Sequence, residues 1–93
     1  MELSVIVPIY NEEKIISELY NRIKKSVTQI TADYELIFVN DGSKDMSVKR
    51  LKELSKLDKN VKYIDFSRNF GHQIAVTAGL DHCSGDAVII IDG

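Results

Sequence analysis

The sequence predicts a doubly wound parallel α/β sheet, because two kinds of apolar pattern alternate along the chain. Short, nearly continuous β-branched runs are typical of strands that are covered on both faces. Four such runs occur, at Leu3–Val7, Tyr34–Val39, Val61–Phe66 and Ala87–Ile91. Apolar residues at helical spacing separate them and predict helices over about Glu12–Gln29, Lys44–Asp58 and Phe70–His82. The right-handed crossover rule and the usual connectivity of such sheets give the strand order 3-2-1-4 of a Rossmann-like fold.

Each predicted helix has one apolar face and one candidate capping residue. The apolar positions are Ile16, Leu19, Tyr20, Ile23 and Val27 in the first helix, Val48, Leu51 and Leu54 or Ser55 in the second, and Ile74, Ala75, Ala78 and Gly79 in the third. Asn11, Ser43 and Asn69 precede the three helices and belong to the residue types that cap helix N-termini.

Composition narrows the class of protein. The chain has 93 residues, 44% hydrophobic and 28% charged, which is the balance of a soluble globular domain. A net charge of −2 with dispersed Lys and Arg offers no basic stripe, so no nucleic-acid partner is expected. The single cysteine, Cys83, excludes an internal disulfide and fits a reducing compartment. The N-terminus lacks a basic signal start, and no apolar run reaches the roughly 20 residues that cross a bilayer, so a cytoplasmic location is expected.

Ligands of open α/β sheets bind outside the carboxyl ends of the strands, where the strand order reverses. The segments expected there are Pro8–Glu12, Asn40–Ser43, Ser67–Gln73 and Asp92–Gly93. In the first of them Tyr10 could stack on a base, whereas Glu12 in the first helical turn would repel a phosphate. This loop is therefore expected to hold a base or ribose rather than a pyrophosphate. The absence of Gly-x-Gly-x-x-Gly argues against a dinucleotide-binding dehydrogenase.

Three charged residues at the other strand ends are candidate ligand contacts. Asp41 follows strand 2, and its carboxylate could accept a hydrogen bond from a base N–H. Arg68 follows strand 3 and is either solvated or bound to a pyrophosphate. Asp92 follows four apolar residues of strand 4 and is costly to bury without a partner, so a divalent cation or a ribose hydroxyl is expected beside it.

Together these segments resemble the family 2 glycosyltransferases, which have the GT-A fold, over the whole chain. Val7–Glu12 is similar to the family's opening loop, Asn40–Ser43 to its second-strand motif, and Ile91–Gly93 to the start of its Asp-x-Asp. Ser67–Gln73 followed by Ala78–Asp81 resembles more narrowly the branch that makes polyprenyl-phosphate sugars. Dolichyl-phosphate mannosyltransferase and the bactoprenol glucosyltransferases belong to that branch.

The resemblance implies a donor-nucleotide site within the chain. The residues it assigns are Pro8, Tyr10, Asn11, Glu12, Val39, Asp41, Arg68, Asp92 and Gly93. Pro8, Tyr10 and Glu12 would line the nucleoside, Val39 would contact it through the backbone, and Asp41 would read the base. Asp92, with Gly93 beside it, would contact the ribose or a diphosphate-bound Mg²⁺ or Mn²⁺ and is the metal residue of the assignment.

The reaction implied by the resemblance is the inverting transfer of a hexose from a UDP- or GDP-sugar to a polyprenyl phosphate, such as dolichyl or undecaprenyl phosphate. A phosphate monoester has a second pKa near about 6, so this acceptor is largely dianionic and needs no strong general base. The second acid of Asp-x-Asp and the acceptor side are absent from residues 1–93. We therefore expect the N-terminal part of a longer GT-A domain, with no catalytic residue of its own and no activity alone.

The same resemblance predicts where the longer enzyme is located in the cell. It is expected at the cytoplasmic face of a membrane, in cell-envelope synthesis. A complete domain would cover the edge of strand 4, so apolar surface around Val88 and Ile90 is expected to be exposed in this chain and to favour self-association.

Two other functions remain open at this point. A glycosyltransferase of the same fold that acts on a saccharide hydroxyl, in polysaccharide or cell-wall synthesis, would need an added carboxylate base beyond residue 93. A nucleotide-binding α/β module without catalysis is the second. A receiver-type signalling module is disfavoured, because strand 3 ends in Phe66-Ser67-Arg68 rather than in an aspartate.

Overall fold

A computed structural model of the chain describes residues 2–11, 14–42, 46–66 and 68–91 and confirms the predicted alternation of strands and helices. The elements are β1 (Leu3–Ile9), α1 (Ile16–Thr28), β2 (Tyr34–Asn40), α2 (Ser47–Leu57), β3 (Val61–Asp65), α3 (His72–His82) and β4 (Ala87–Ile90). The strands form one parallel sheet in the predicted order β3-β2-β1-β4. Within the described ranges no helix has the length and apolar character needed to span a membrane.

The hydrophobic core lies on both faces of the sheet. The larger cluster, on the face covered by α1 and α2, consists of Leu3, Val5, Val7, Ile9, Ile16, Ile23, Val27, Tyr34, Leu36, Phe38, Leu51 and Val61. The smaller cluster, under α3, consists of Ile6, Ile37, Val39 and Ala75. Every residue of β1 and β2 is buried. Because these central strands are covered on both sides, they appear in the sequence as continuous rather than alternating apolar runs.

The predicted apolar faces of α1 and α2 pack on the sheet, but that of α3 is only partly correct. Ala75 is fully buried, whereas Ile74 is 50% exposed. A Cβ on Gly79 would lie 2.5 Å from the Cγ2 of Ile6, so α3 approaches the sheet through its smallest residues. This close approach leaves the larger side chain of Ile74 on the flank of the helix.

α1 and α2 begin later than predicted. Asn11 does not cap α1, because its φ of 50° turns the chain and Ile15 holds the N-cap position, with no side-chain capping bond. α1 therefore starts at Ile16 rather than near residue 12. α2 starts at Ser47 after an N-cap at Met46, and the predicted cap Ser43 lies outside the described residues.

α3 also begins later, at His72, and Asn69 does not cap it. Gly71 holds the N-cap position with φ of 101°, a left-handed backbone conformation that favours glycine. The N–H groups of Phe70 and Gly71, just before the helix, are bound instead by Asp41, which follows β2.

The edge strand β4 exposes apolar side chains, as the sequence predicts. Val88, Ile89 and Ile90 are 38%, 40% and 45% exposed. On the α1 face a groove of about 480 Å³ runs between α1 and β4, with Ile23 and Ile91 in its lining. Self-association through this edge stays a prediction.

A buried carboxylate fastens the amino ends of the strands together. Glu35 is fully buried and accepts hydrogen bonds from Ser4 Oγ (2.6 Å), Lys62 Nζ (2.7 Å) and the backbone N–H of Ser84 (2.6 Å). Ser4 Oγ in turn accepts from the N–H of Gly85 at 2.7 Å. A Cβ on Gly85 would lie 2.5 Å from the nitrogen of Ser4, so no larger residue fits there. These contacts join β1, β2, β3 and the segment that leads into β4.

The charge of Glu35 is held in place by its donors. Burial alone raises the pKa of Glu35, but the hydrogen bonds from Lys62, Ser4 and Ser84 outweigh it, and the pKa lies below its ordinary value. The side chain of Lys62 is half exposed, so its ammonium group keeps part of its hydration while it neutralises the carboxylate.

A second polar cluster joins α1 to the end of α2. Tyr20 Oη donates to Asp58 Oδ2 at 2.6 Å, and Lys24 Nζ lies 3.3 Å from the same oxygen. Burial raises the pKa of Asp58, but hydrogen bonds from Tyr20, the N–H of Asn60 and Lys24 bring it below its ordinary value. The cluster stabilises the packing of the two helices on the same face of the sheet.

We predict that Glu35→Gln destabilises the fold by about 2–3 kcal/mol, because one carboxylate oxygen is replaced by an N–H₂ group that faces donors. Urea unfolding at neutral pH measures the loss. Glu53→Gln, at an exposed position of α2, is the matched control and should change the free energy of unfolding by less than about 0.5 kcal/mol.

The difference between wild type and Glu35→Gln should also depend on pH. A carboxyl group whose pKa is lowered by folding stabilises the native state above its unfolded pKa, near about 4.3, and loses that contribution as pH falls through the folded pKa. The two stability curves should therefore converge in acid. A difference that stays constant from neutral pH to pH 3 would contradict an ionised Glu35.

Candidate functional site

The carboxyl ends of β1 and β2 bring Tyr10 and Asp41 to the same edge of the sheet. Ile9 and Asn40 are register partners at the ends of the two strands, and the N–H of Asp41 donates to the carbonyl of Ile9 at 2.8 Å. Tyr10 follows β1 and is 41% exposed, whereas Asp41 follows β2 and is only 5% exposed. An exposed aromatic ring and a buried carboxylate thus stand side by side, where open α/β sheets bind ligands.

Pro8 and Val39 are two apolar residues that pack beneath this edge. They are register partners in the two central strands, and both are buried. Pro8 has no N–H to donate, and it lies beyond Ile6–Ile90, the last β1–β4 pair within the described residues.

Asp41 binds the loop that precedes α3. Its Oδ1 accepts from the N–H of Phe70 at 2.8 Å, and its Oδ2 accepts from the N–H of Gly71 at 3.1 Å. Phe70 and Gly71 are the last two residues before α3, so Asp41, 29 and 30 residues away in sequence, holds the backbone that leads into the helix. Each carboxylate oxygen has a second lone pair, and the predicted reading of a base by Asp41 stays a prediction.

Gly42 brings the end of β2 into contact with the same loop. Its φ is 71°, and a Cβ on it would lie 2.1 Å from the carbonyl carbon of Arg68 and 2.2 Å from the nitrogen of Asn69. Two backbone segments therefore pass each other without room for a side chain. The close approach of the Arg68–Asn69 backbone explains why a glycine follows Asp41. A turn alone would not require two backbone segments to come so close.

Arg68 is held against aromatic rings at this edge. Its guanidinium carbon lies 4.9 Å from the centroid of the Phe70 ring, and Phe70 packs edge-on against Phe66 with centroids 5.3 Å apart. The N–H of Phe66 donates to the carbonyl of Asn40 at 2.9 Å. Arg68 is exposed, and no carboxylate in the described ranges pairs with it. Such a group can receive an anion.

Asn40 and Asp65 form a polar pair that the sequence interpretation missed. Asn40 Nδ2 donates to Asp65 Oδ1 at 2.9 Å, at the ends of β2 and β3. The Oδ1 of Asn40 is buried, and no hydrogen-bond partner for it occurs among the described residues. Asn40 and Asp65 lie within one residue of the ends of the two predicted strands, and this is the signal that could have found them; in the structure they end β2 and β3 and are register partners.

Three of the predicted donor-site residues, Glu12, Asp92 and Gly93, lie outside the described residues, so their assignment stays a prediction. Asn11 is described and exposed. Within residues 2–11, 14–42, 46–66 and 68–91, no group of three or more His, Cys, Asp or Glu side chains could hold a metal ion. The described part of the edge does not by itself form a metal site.

The fold and this edge agree with what comparison with known proteins shows. Residues 4–93 match the family model described as Glycosyl transferase family 2. The chain belongs to glycosyl transferase family 2. Tyr10 and the Asp41-Gly42 pair, which belong to two of the motifs that carry the resemblance, lie at the carboxyl edge that the rule for open sheets predicts.

Two relatives illustrate how far the similarity extends. An uncharacterised glycosyltransferase of Bacillus subtilis, YkcC, is 55% identical over 92 residues, which cover 99% of this chain and 28% of that protein. The bactoprenol glucosyl transferase of Shigella phage SfV is 42% identical over 92 residues, with 99% of this chain and 30% of that protein covered. The chain thus spans less than a third of the length of these curated relatives.

Solved structures show the same fold. S. aureus TarS 1–349 in complex with UDP-GlcNAc has a TM-score of 0.84 at 32% identity, over 99% of this chain and 26% of that one. The mannosyltransferase PcManGT of Pyrobaculum calidifontis, in complex with GDP-Man and Mn²⁺, has a TM-score of 0.87 at 24% identity, over 98% and 27%. The parallel sheet described above therefore has the GT-A fold, as predicted.

We predict that Gly42→Ala destabilises the fold by more than about 3 kcal/mol, because the added Cβ would have to displace backbone atoms of the neighbouring loop. Gly71→Ala is the matched control: its φ is also positive, but no atom lies within 4 Å of its Cβ position. Strain alone should cost about 1–3 kcal/mol there. Thermal and urea unfolding of both variants test the close contact, and equal losses would contradict it.

Proposed function

We propose that this chain is the donor-nucleotide-binding part of a longer glycosyltransferase that transfers a hexose from a UDP- or GDP-sugar to a polyprenyl phosphate. The observation that carries the proposal is the grouping of Tyr10, Asp41 and Arg68 at one carboxyl edge in a member of this family. Further support comes from TarS, a structure at 32% identity that binds UDP and UDP-GlcNAc.

Each side chain at the edge is suited to contact a different part of a nucleoside diphosphate. Tyr10 has an exposed ring on which a nucleobase can stack. The buried pair Pro8 and Val39 lies beneath it in the sheet. Arg68 supplies a cation for the phosphates, since its planar guanidinium can form paired hydrogen bonds with an anion. Asp41 lies between these two elements and can accept from a base N–H through its remaining lone pairs.

The rest of the donor site is part of the proposal. Asn11 and Glu12 contribute to the nucleoside side, and Asp92 with Gly93 to the ribose and diphosphate side. Asp92 is the proposed residue for Mg²⁺ or Mn²⁺, the class of ion present with GDP-Man in PcManGT. When bound, such an ion would neutralise charge on the leaving nucleoside diphosphate.

The proposed acceptor is a lipid phosphate, supported by the 42% identity to the bactoprenol glucosyl transferase across almost the whole chain. A phosphate oxygen forms the new bond to the anomeric carbon while the bond from that carbon to the diphosphate oxygen breaks, with inversion. Because the phosphate is already largely dianionic at neutral pH, positioning and stabilisation of the leaving group carry the catalysis.

The longer enzyme is proposed to work at the cytoplasmic face of a membrane, because its lipid acceptor resides there, and to serve cell-envelope synthesis. Its catalytic and acceptor-side residues would follow residue 93. Transfer to a saccharide hydroxyl and nucleotide binding without catalysis are the alternatives that the experiments below distinguish.

We predict that the chain binds UDP or GDP weakly and that Asp41→Ala weakens this binding about tenfold or more, the cost of a lost charged hydrogen bond. Asp92→Ala should matter mainly when Mn²⁺ is present, because its proposed role is toward the cation. Calorimetric titrations of both nucleotides, with and without Mn²⁺, measure the two effects. Unchanged affinity of a folded Asp41→Ala chain for both nucleotides would contradict the role of Asp41.

For the acceptor, we predict that the longer enzyme transfers labelled hexose from a UDP- or GDP-sugar to undecaprenyl phosphate. The labelled lipid product should be extracted into organic solvent, and mild acid should release the labelled hexose from it. The dephosphorylated polyprenol is the matched control, because it keeps the lipid and removes the nucleophile. Label found only on an oligosaccharide acceptor would favour the saccharide alternative, and no transfer despite nucleotide binding would favour the non-catalytic module.

A further inference from the structure

The loop between β3 and α3 is fastened to the end of β2 by two independent contacts. Asp41 accepts hydrogen bonds from the N–H groups of Phe70 and Gly71, at 2.8 and 3.1 Å. Gly42 lies so close to the backbone of Arg68 that a Cβ would meet it at 2.1 Å. The path of this loop is therefore set by two consecutive residues of another strand.

The same loop carries the exposed cation of the site. Arg68 stacks on Phe70, and Phe70 is the residue whose N–H is bound by Asp41. The position of the guanidinium group consequently depends on the carboxylate of Asp41 through one aromatic ring. Asp41 itself is 5% exposed, and both of its oxygens are engaged, so its charge is directed at the loop rather than at solvent.

We propose that Asp41 is a positioning residue that fixes the β3–α3 loop so that Arg68 meets the phosphates of the bound nucleotide. The proposal deepens the proposed function and rests on it for the identity of the ligand. A positioning role and direct recognition of the base differ in one consequence. If Asp41 only contacts the base, removing its side chain and removing that of Arg68 weaken nucleotide binding independently. If Asp41 positions Arg68, removing Arg68 weakens binding little once Asp41 has been removed.

The fastening of the loop can be tested without any nucleotide. Hydrogen exchange of the Phe70 and Gly71 amides, followed by NMR in the 93-residue chain, should be at least about tenfold faster in Asp41→Ala than in wild type. Asp41→Asn keeps one acceptor oxygen and should keep one of the two amides protected. Asp65→Ala is the matched control, because this neighbouring carboxylate binds Asn40 and not the loop.

The positioning of Arg68 is tested by a double-mutant cycle on UDP affinity, with Arg68→Gln as the second change. Arg68→Gln should weaken binding about tenfold in wild type and less than about twofold in Asp41→Ala. In Asp41→Asn, which keeps one of the two hydrogen bonds and serves if Asp41→Ala does not fold, the effect of Arg68→Gln should fall between these two values. Asp65→Ala should leave the full tenfold effect of Arg68→Gln.

The outcomes separate the two proposals. If the double variant loses affinity by the product of the two single losses, Asp41 and Arg68 act independently. That result would overturn the positioning role but not the proposed nucleotide binding. If wild type binds neither UDP nor GDP, the proposed function fails, and the exchange rates alone decide whether Asp41 holds the loop. Equal exchange of the Phe70 and Gly71 amides in wild type and Asp41→Ala would overturn the positioning role in that case too.

Discussion

The buried carboxylate of Glu35 is the constraint on which the rest of this fold depends. It carries its charge at zero exposure and satisfies it with Ser4, Lys62 and the backbone of Ser84, so three strands and the segment before β4 share one acceptor group. A one-residue slip of β1 or β3 would turn its donor away from Glu35 and leave a buried charge without a partner. The network therefore specifies register in central strands whose uniformly apolar side chains specify it weakly.

Because this network lies at the amino ends of the strands, the carboxyl ends can carry a group that is locally unfavourable. Asn40 has a buried side-chain oxygen without a hydrogen-bond partner among the described residues. It is tolerated at an edge where β1 and β2 are already held by a continuous core. The separation of a stabilised amino edge from a polar carboxyl edge leaves Tyr10 and Arg68 exposed at the carboxyl edge.

Much of this arrangement could be predicted from the sequence, and the failures have a common physical cause. Apolar periodicity predicted the strands, the crossover rule with the usual connectivity predicted their order, and the rule for open sheets located Tyr10 and Asp41. The helix starts were wrong because each start was assigned to a polar residue nearby in sequence, whereas the backbone that leads into α3 is held by Asp41, 29 residues away. The Glu35 network was missed although a signal exists: Ser4, Glu35 and Lys62 are each the second residue of their strand, and in a parallel sheet such residues share one edge.

The two carboxylates of β2 together explain how α3 is held. Glu35, near the start of the strand, binds the N–H of Ser84 after the helix, and Asp41, just past the end of the strand, binds the N–H groups before it. Six residues of strand span about 20 Å, and the 11 residues of α3 span about 16 Å, so the helix and its flanking turns fit between the two acceptors. α3 needs such ties because it meets the sheet through Ala75 and Gly79 and buries little apolar surface of its own. Asp41, a residue of the candidate site, is thus also one end of the attachment of α3.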